Sequence, residues 1–454
     1  MKRGLIILAG LGVLLILVVV FMNIFGGKTP DSKSALKVWL PFDEVATYKK
    51  ISKEFQAKHS SIDLEFRYID AKDAKDYEAT VINAIADGEG PDIWLARFDW
   101  IPKHAAKSLP ASSGGLTDAV TQLKVLVQSN IVDLNTYNGE LYGVPLFADS
   151  LAIIYNSDFY RENSQNFSQK NLAFLDQYPK SWAELKRNVG LISSNSGATI
   201  KRSGLAMGTV KNTLAPADVL TAFLLQSNST ILSEDGKDVI FNLAAFKKGK
   251  PTFPTAEALS FYTSFASPKA TNYSWNAAMG DPVEAFVAGK TGALIGYYST
   301  LQAILDQDPT IWQKIIVTPM VQKNPKAERI DFVMGWTHLV NRDSTAPEAA
   351  WQYLSYLAQD TAQYDYAEST GRIEVAKRDR GLAERSEANM SRDEIFGAQF
   401  DTGQLFIKRE WQLVDVVLQD AINQVIVSHR TAQNAIDSAA SRFKVFLQDA
   451  SVGQ

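Results

Sequence analysis

Asp43-Glu44 and Asp99 are residues whose types could do acid–base chemistry. Two carboxylates facing a cleft, one protonated and one ionised, are the equipment of a glycosidase, which needs them roughly 5–10 Å apart. Their separation is not written in the sequence. Single acids at strand ends also serve as helix caps or hydrogen-bond acceptors. The four histidines, His59, His104, His338 and His429, are far apart and match no metal-binding spacing such as H-E-x-x-H. There is no cysteine, which removes disulfides, thiolate nucleophiles, Cys-ligated metal centres and a lipidated N-terminal cysteine. G-x-S-x-G, P-loop and G-x-G-x-x-G motifs are absent. The reading is of a non-enzyme with no cofactor and no required metal.

The elements that must hold such residues belong to a large globular chain. Its 454 residues carry a net charge of −4, with 46% hydrophobic and 21% charged residues. That composition excludes a largely disordered chain and is ample for a large core in two or three domains. The mildly acidic balance argues against a nucleic-acid partner. Lys2 and Arg3 precede an apolar run from Gly4 to Phe25, broken only by Asn23. At about 1.5 Å per residue this run can cross a hydrocarbon core of about 30 Å. No clear small-x-small cleavage site follows, so residues 1–25 are read as a membrane anchor or signal segment, the uncleaved anchor being favoured, with the rest outside the cytoplasm. Residues 26–35 are a polar linker.

Leu36–Leu40, the alternating Ile62–Tyr68 and Pro91–Ala96 read as strands. Val45, Tyr48, Ile51 and Phe55, then Tyr77–Ala86, read as intervening helices, which implies parallel β-α-β units. Tyr137–Pro145 looks like a hairpin turned at Asn138-Gly139. Ser181 with Glu184 forms a capping-box pattern, and Asp281-Pro282 opens a helix that Gly289 ends. Gly292–Tyr298 follows as a strand. Apolar stripes at Val414–Val425 and Ala432–Phe443 read as core-facing helices, and 374–395 as a solvated charged segment.

Several segments, in order, resemble the family 1 extracellular solute-binding proteins of ABC importers, the maltose-binding-protein type. They are Gly88-Glu89-Gly90-Pro91-Asp92-Ile93, Tyr137–Leu146 running into Leu151–Asp158, and Pro179-Lys180-Ser181-Trp182. Ala285–Leu294, Gly335-Trp336 through Trp351, and Thr370–Val375 continue the pattern. The resemblance implies an α/β, two-lobed periplasmic-binding-protein type II fold with a central ligand cleft. It places lobe 1 at 36–147 and 318–358, and lobe 2 at 148–317 and 359–454. It implies a monomer that captures a small-molecule solute, a mono- or oligosaccharide, by hinge closure and delivers it to ABC permease subunits. The alternative is a surface sensor that signals to a membrane partner.

By the same resemblance, ligand contacts fall on Phe42, Asp43, Glu44, Asp99, Trp100, Asp149, Tyr297, Tyr298, Ser299, Trp336 and Arg372, with Trp275 and Trp411 added. The loop after the first strand suits this role, because ligands of open α/β sheets bind beyond strand C-terminal ends. Asp43 or Glu44 could equally cap the helix that starts near Val45. The aromatic residues could equally be core packing. Arg372 and Glu374 depart from the family pattern, which commonly has an aromatic and a proline there. Arg372 would also suit an anionic solute.

Overall fold

A computed structural model describes residues 34–162, 178–233, 238–377, 390–405 and 411–452. The apolar run Gly4–Phe25 lies outside these. Among the described residues no helix is long and apolar enough to cross a membrane.

The principal strands are β1 (Ser34–Leu40), β2 (Ile62–Tyr68), β3 (Ile93–Arg97), β4 (Gly143–Ser150), β5 (Ala152–Asn156), β6 (Ala293–Gly296), β7 (Ile315–Pro319) and β8 (Asp331–Asn341). The first sheet runs β8-β3-β1-β2, with β4 on the far side of β8. β1 pairs parallel with β2 and β3, as the β-α-β reading requires, whereas β8 runs antiparallel to β3 and β4. β1 starts two residues earlier than expected, taking Ser34 and Ala35 from the linker.

Period-two alternation explains the layering. Leu36, Val38 and Leu40 bury in one core, while Trp39 joins Trp94, Ala96 and Trp100 on the opposite face. The second sheet is β6-β5-β7, with β5 antiparallel to both neighbours. Ile153 and Tyr155 pack on one face and Ile154 on the other. Both faces being covered accounts for the unbroken apolar run Leu151–Tyr155.

Local chemistry sets the element ends. Ser181 and Glu184 form the capping box of the helix Trp182–Ile192, and Asp281 caps Pro282–Val287. Asn138 and Gly139 both take positive φ, 51° and 81°, as a type I′ hairpin turn demands. Val414, Val417, Leu418, Ala421 and Ile422 of the helix Trp411–Ile426 bury against Ala435, Ile436, Ala439 and Phe443 of Ala432–Val452.

Three expectations change. The helical pattern from Val45 to Phe55 splits at Ser52, whose hydroxyl lies 2.8 Å from the Tyr353 hydroxyl. The strand expected up to Tyr298 stops at Gly296, and Tyr298 begins the helix Tyr298–Gln307. Glu374, Val375 and Ala376, read as solvated, are buried, because Glu374 bridges to Phe147 of β4; residues 378–389 of that segment lie outside the described part.

Contacts also run across the expected lobe boundaries. Tyr366, on the helix Asp360–Thr370 assigned to lobe 2, sits 5.8 Å from the Tyr48 ring in lobe 1. Val321, assigned to lobe 1, packs in a core with residues assigned to lobe 2, and the Trp182 amide donates to the carbonyl of its neighbour Gln322 at 3.2 Å.

Candidate functional site

The chain passes between the sheets at β4–β5, at β7–β8 and again after Thr370, and a cleft opens beside these crossings. Its volume is about 620 Å³, within the ~300–1,000 Å³ of small-molecule sites. From the first lobe come Phe42, Asp43 and Glu44 beyond β1, Arg97 at the end of β3, and Met334, Gly335 and Trp336 of β8. Phe147, Ala148 and Asp149 come from β4, and Gly371, Arg372 and Ile373 from a later crossing. Asp218, Tyr297, Tyr298, Ser299 and Gln302 come from the second lobe.

Trp336 lies opposite Arg97 on one side and Phe147 on the other. The β4–β8 register shifts beside it, between Trp336 and Thr337. Such a bulge twists a strand and re-aims its side chains. The indole packs edge-on at 5.3 Å from both Phe42 and Trp100, and 5.9 Å from Tyr77. Trp100 is therefore fully buried behind Trp336 rather than in the cleft.

Glu44 settles between its two readings. It is the N-cap of Val45–Ile51 by position, but its side chain makes no cap bond. Oε1 instead accepts from Arg372 Nη2 at 2.9 Å and Nε at 3.1 Å, and Oε2 accepts from the Tyr366 hydroxyl at 2.6 Å. The Arg372 guanidinium lies 4.1 Å from the Phe42 ring centre and 4.2 Å from that of Phe147. Its charge is already matched by Glu44, which removes the main reason for expecting an anionic solute.

Asp99 is buried, and Arg97 grips it with two of its three guanidinium nitrogens, Nε at 3.0 Å and Nη2 at 3.1 Å. Arg97, not Asp99, lines the cleft. Asp149 Oδ1 accepts from its neighbour Ser150 N at 2.8 Å and from Tyr298 N at 2.9 Å in the second lobe. Burial pushes the Asp149 carboxyl up to about 7, against the opposing pull of these amides. The Tyr297 hydroxyl donates to Asp218 at 2.8 Å. Burial, then the Asp218 charge, holds that phenol well above its ordinary range.

The cleft thus gathers Phe42, Asp43, Glu44, Asp149, Tyr297, Tyr298, Ser299, Trp336 and Arg372 from the expected set. Trp275 is fully buried elsewhere, its Nε1 donating to the Asn212 carbonyl at 2.6 Å. Trp411 opens a helix and its side chain lies outside the described part. Arg97, Phe147 and Asp218 were missed. Phe147 was legible, since it shares a strand face with Asp149 two positions on; Asp218 gave no signal. Among the described residues, no group of three His, Asp or Glu side chains could hold a metal. Glu44 and Asp99, two of the carboxylates considered for a glycosidase, are each committed to an arginine.

Two lobes around a cleft, with carboxylates and aromatic rings on its walls, define a binding protein of the ligand-enclosing kind. The profile of the bacterial extracellular solute-binding proteins matches residues 42–364. The chain belongs to that family. It is 26% identical over 128 residues to the maltotriose-binding protein of Pyrococcus abyssi, covering 28% of this chain and 26% of that protein. It is 23% identical over 202 residues to the maltodextrin-binding protein MdxE of Bacillus subtilis, covering 40% of this chain and 45% of the relative. Among solved structures, the sugar-binding protein MalE of Xanthomonas citri superposes with a TM-score of 0.73 at 18% identity, covering 92% of this chain and 98% of that one. The cyclic α-maltosyl-1,6-maltose binding protein of Arthrobacter globiformis gives 0.70 at 18% identity, covering 92% and 100%. The family and these neighbours are binding proteins rather than enzymes.

Proposed function

We propose that this protein captures a carbohydrate outside the cytoplasm and hands it to the permease of an ABC importer, tethered by its N-terminal apolar segment. The observation that carries the reading is the 620 Å³ cleft whose walls come from both lobes and whose lining alternates rings with carboxylates. Sugars present an apolar C–H face and a rim of paired hydroxyls. Trp336, Phe42 and Tyr298 supply faces for stacking. Asp43, Asp149 and Ser299 supply hydrogen-bonding oxygens. Glu44 and Arg372 position Phe42, Asp99 positions Arg97, and Trp100 backs Trp336.

No bond is made or broken in this mechanism. A ligand touching both walls stabilises the closed arrangement of the lobes and shifts the population toward it. The names of the maltotriose- and maltodextrin-binding relatives favour an oligosaccharide.

A thermal-shift screen tests this, with sugars, sugar acids, polyols, amino acids and short peptides as probes. A ligand at a hundred times its Kd adds about 2.7 kcal/mol to the native state. We expect a rise in Tm with a carbohydrate class, reduced by Trp336→Ala and by the exposed Asp43→Asn. A rise confined to amino acids or peptides overturns the carbohydrate reading.

A further inference from the structure

Lobe 2 carries a feature that solute capture does not use. Residues Ala245–Lys247 and Lys250–Thr252 form a two-stranded hairpin turned at Lys248 and Gly249, with φ of 52° and 74°. Asn242, at its base, donates to Asp437 of the C-terminal helix at 3.0 Å, and Gln433 donates to the Asn242 carbonyl at 3.0 Å. The base is fastened while the tip stands in solvent.

The tip is unusual in two independent ways. Phe246 is 75% exposed, Leu243 58% and Phe253 40%, three large apolar side chains within one short segment. Lys247 also faces Lys250 directly across the hairpin, with Lys248 at the turn. Like charges placed opposite one another destabilise a strand pair. Between Asp238 and Glu257 the sequence has no acidic residue to offset them. Glu257 pairs with Lys323 at 2.7 Å, and Asp437 is taken by Asn242 and Gln433. In the cross-strand register Phe246 shares one face with Pro251, and Lys247 shares the other with Lys250. The hairpin is therefore amphipathic, apolar on one face and cationic on the other.

We propose that the hairpin 243–253 rests on an anionic lipid surface. Phe246, with Leu243 and Phe253, enters the headgroup boundary, while Lys247, Lys248 and Lys250 extend their long stems toward lipid phosphates. A fluid anionic surface suits it better than a protein groove. Three flexible ammonium groups with no carboxylate among them set no register for a structured partner. The proposal does not depend on which solute the cleft takes.

The chain has no cysteine, so Pro251→Cys creates a single labelling position beside Phe246. The full chain, labelled there with an environment-sensitive fluorophore, is reconstituted with phosphatidylcholine vesicles or with vesicles also containing phosphatidylglycerol. The apolar N-terminal segment is common to both samples. We expect a blue shift only with the anionic lipid, reversed by high salt, lost in Lys247→Glu/Lys250→Glu and weakened in Phe246→Ser. These exposed substitutions should leave Tm unchanged, which guards against misfolding. The same emission with both vesicles, or a shift that persists in the double glutamate variant, overturns the proposal.

Discussion

Glu44 and Arg372 meet at 2.9 Å across a sequence separation of 328 residues. The pair ties the loop beyond the first strand to the crossing segment that follows Thr370. Arg372 in turn fixes the Phe42 and Phe147 rings. One cleft wall is therefore braced before any ligand arrives, which lowers the ordering cost of binding.

Removing one partner of this pair should cost more than an exposed salt bridge, because the side chains are only 13% and 29% exposed. Glu44→Gln is expected to destabilise the protein by about 1–3 kcal/mol through loss of charge-assisted hydrogen bonds. Arg372→Lys should restore little, since an ammonium lacks the planar fork and stacking surface. Urea unfolding of both variants checks this; a lysine variant as stable as wild type would sink it.

Asp149 should make stability fall with rising pH. Its folded pKa, about 7, lies above the ordinary carboxyl value, so between about 4 and 7 the folded state binds more protons than the unfolded chain. The cost of ionising it grows through that window and is constant above. Asp149→Asn removes the titration and keeps an acceptor for the Tyr298 amide. Its stability relative to wild type should rise between pH 4.5 and 7.5 by an amount on the order of 1–4 kcal/mol. A difference that stays flat with pH would rule this out.

His338 has the opposite sign. Burial pulls its pKa down to about 4. Its Nδ1 donates to the Val144 carbonyl at 2.7 Å, so Nε2 accepts from the Tyr48 hydroxyl at 2.8 Å, a neutral tautomer. As pH falls from about 6.5 to about 4 the unfolded chain takes up a proton that the folded state refuses, and stability is lost. His338→Gln should abolish this acid-side loss. Denaturant midpoints across that range, for variant and wild type, decide it.

Gly335 is fixed by space rather than by φ. A Cβ there would overlap the Phe98 ring. Gly335→Ala is expected to destabilise by about 1–3 kcal/mol through overpacking. Because Gly335 lines the cleft beside Trp336, ligand-induced thermal shifts should also shrink. Unchanged unfolding and unchanged shifts together would contradict the overlap.

Ser181→Ala removes one half of a reciprocal cap. Its hydroxyl accepts from Glu184 N at 3.2 Å while Glu184 Oε2 accepts from Ser181 N at 3.2 Å. The expected loss is about 0.5–2 kcal/mol. Thermal unfolding with no change would show that the helix Trp182–Ile192 is held by burial alone.

The sequence by itself determined what rests on neighbours along the chain. The alternation in Ile62–Tyr68, the Asn138-Gly139 turn, the Ser181/Glu184 box and the Asp281-Pro282 start are each a local backbone preference, and each is present. So are the parallel pairings of β1, because strand–helix–strand runs leave few other arrangements. The family pattern, carried by short motifs in order, was legible for the same reason.

Only the tertiary structure decided which charges the cleft exposes. Asp99 looked available and is consumed by Arg97; Glu44 stood equally as a ligand contact or a cap and is consumed by Arg372; Trp100 looked like a platform and lies behind Trp336. A side chain's availability depends on the partner that packing sets beside it, whether two residues away, as Arg97 is from Asp99, or 328, as Arg372 is from Glu44. Residue type and spacing along the chain do not say which of these contacts forms, because burial and side-chain direction are set by packing.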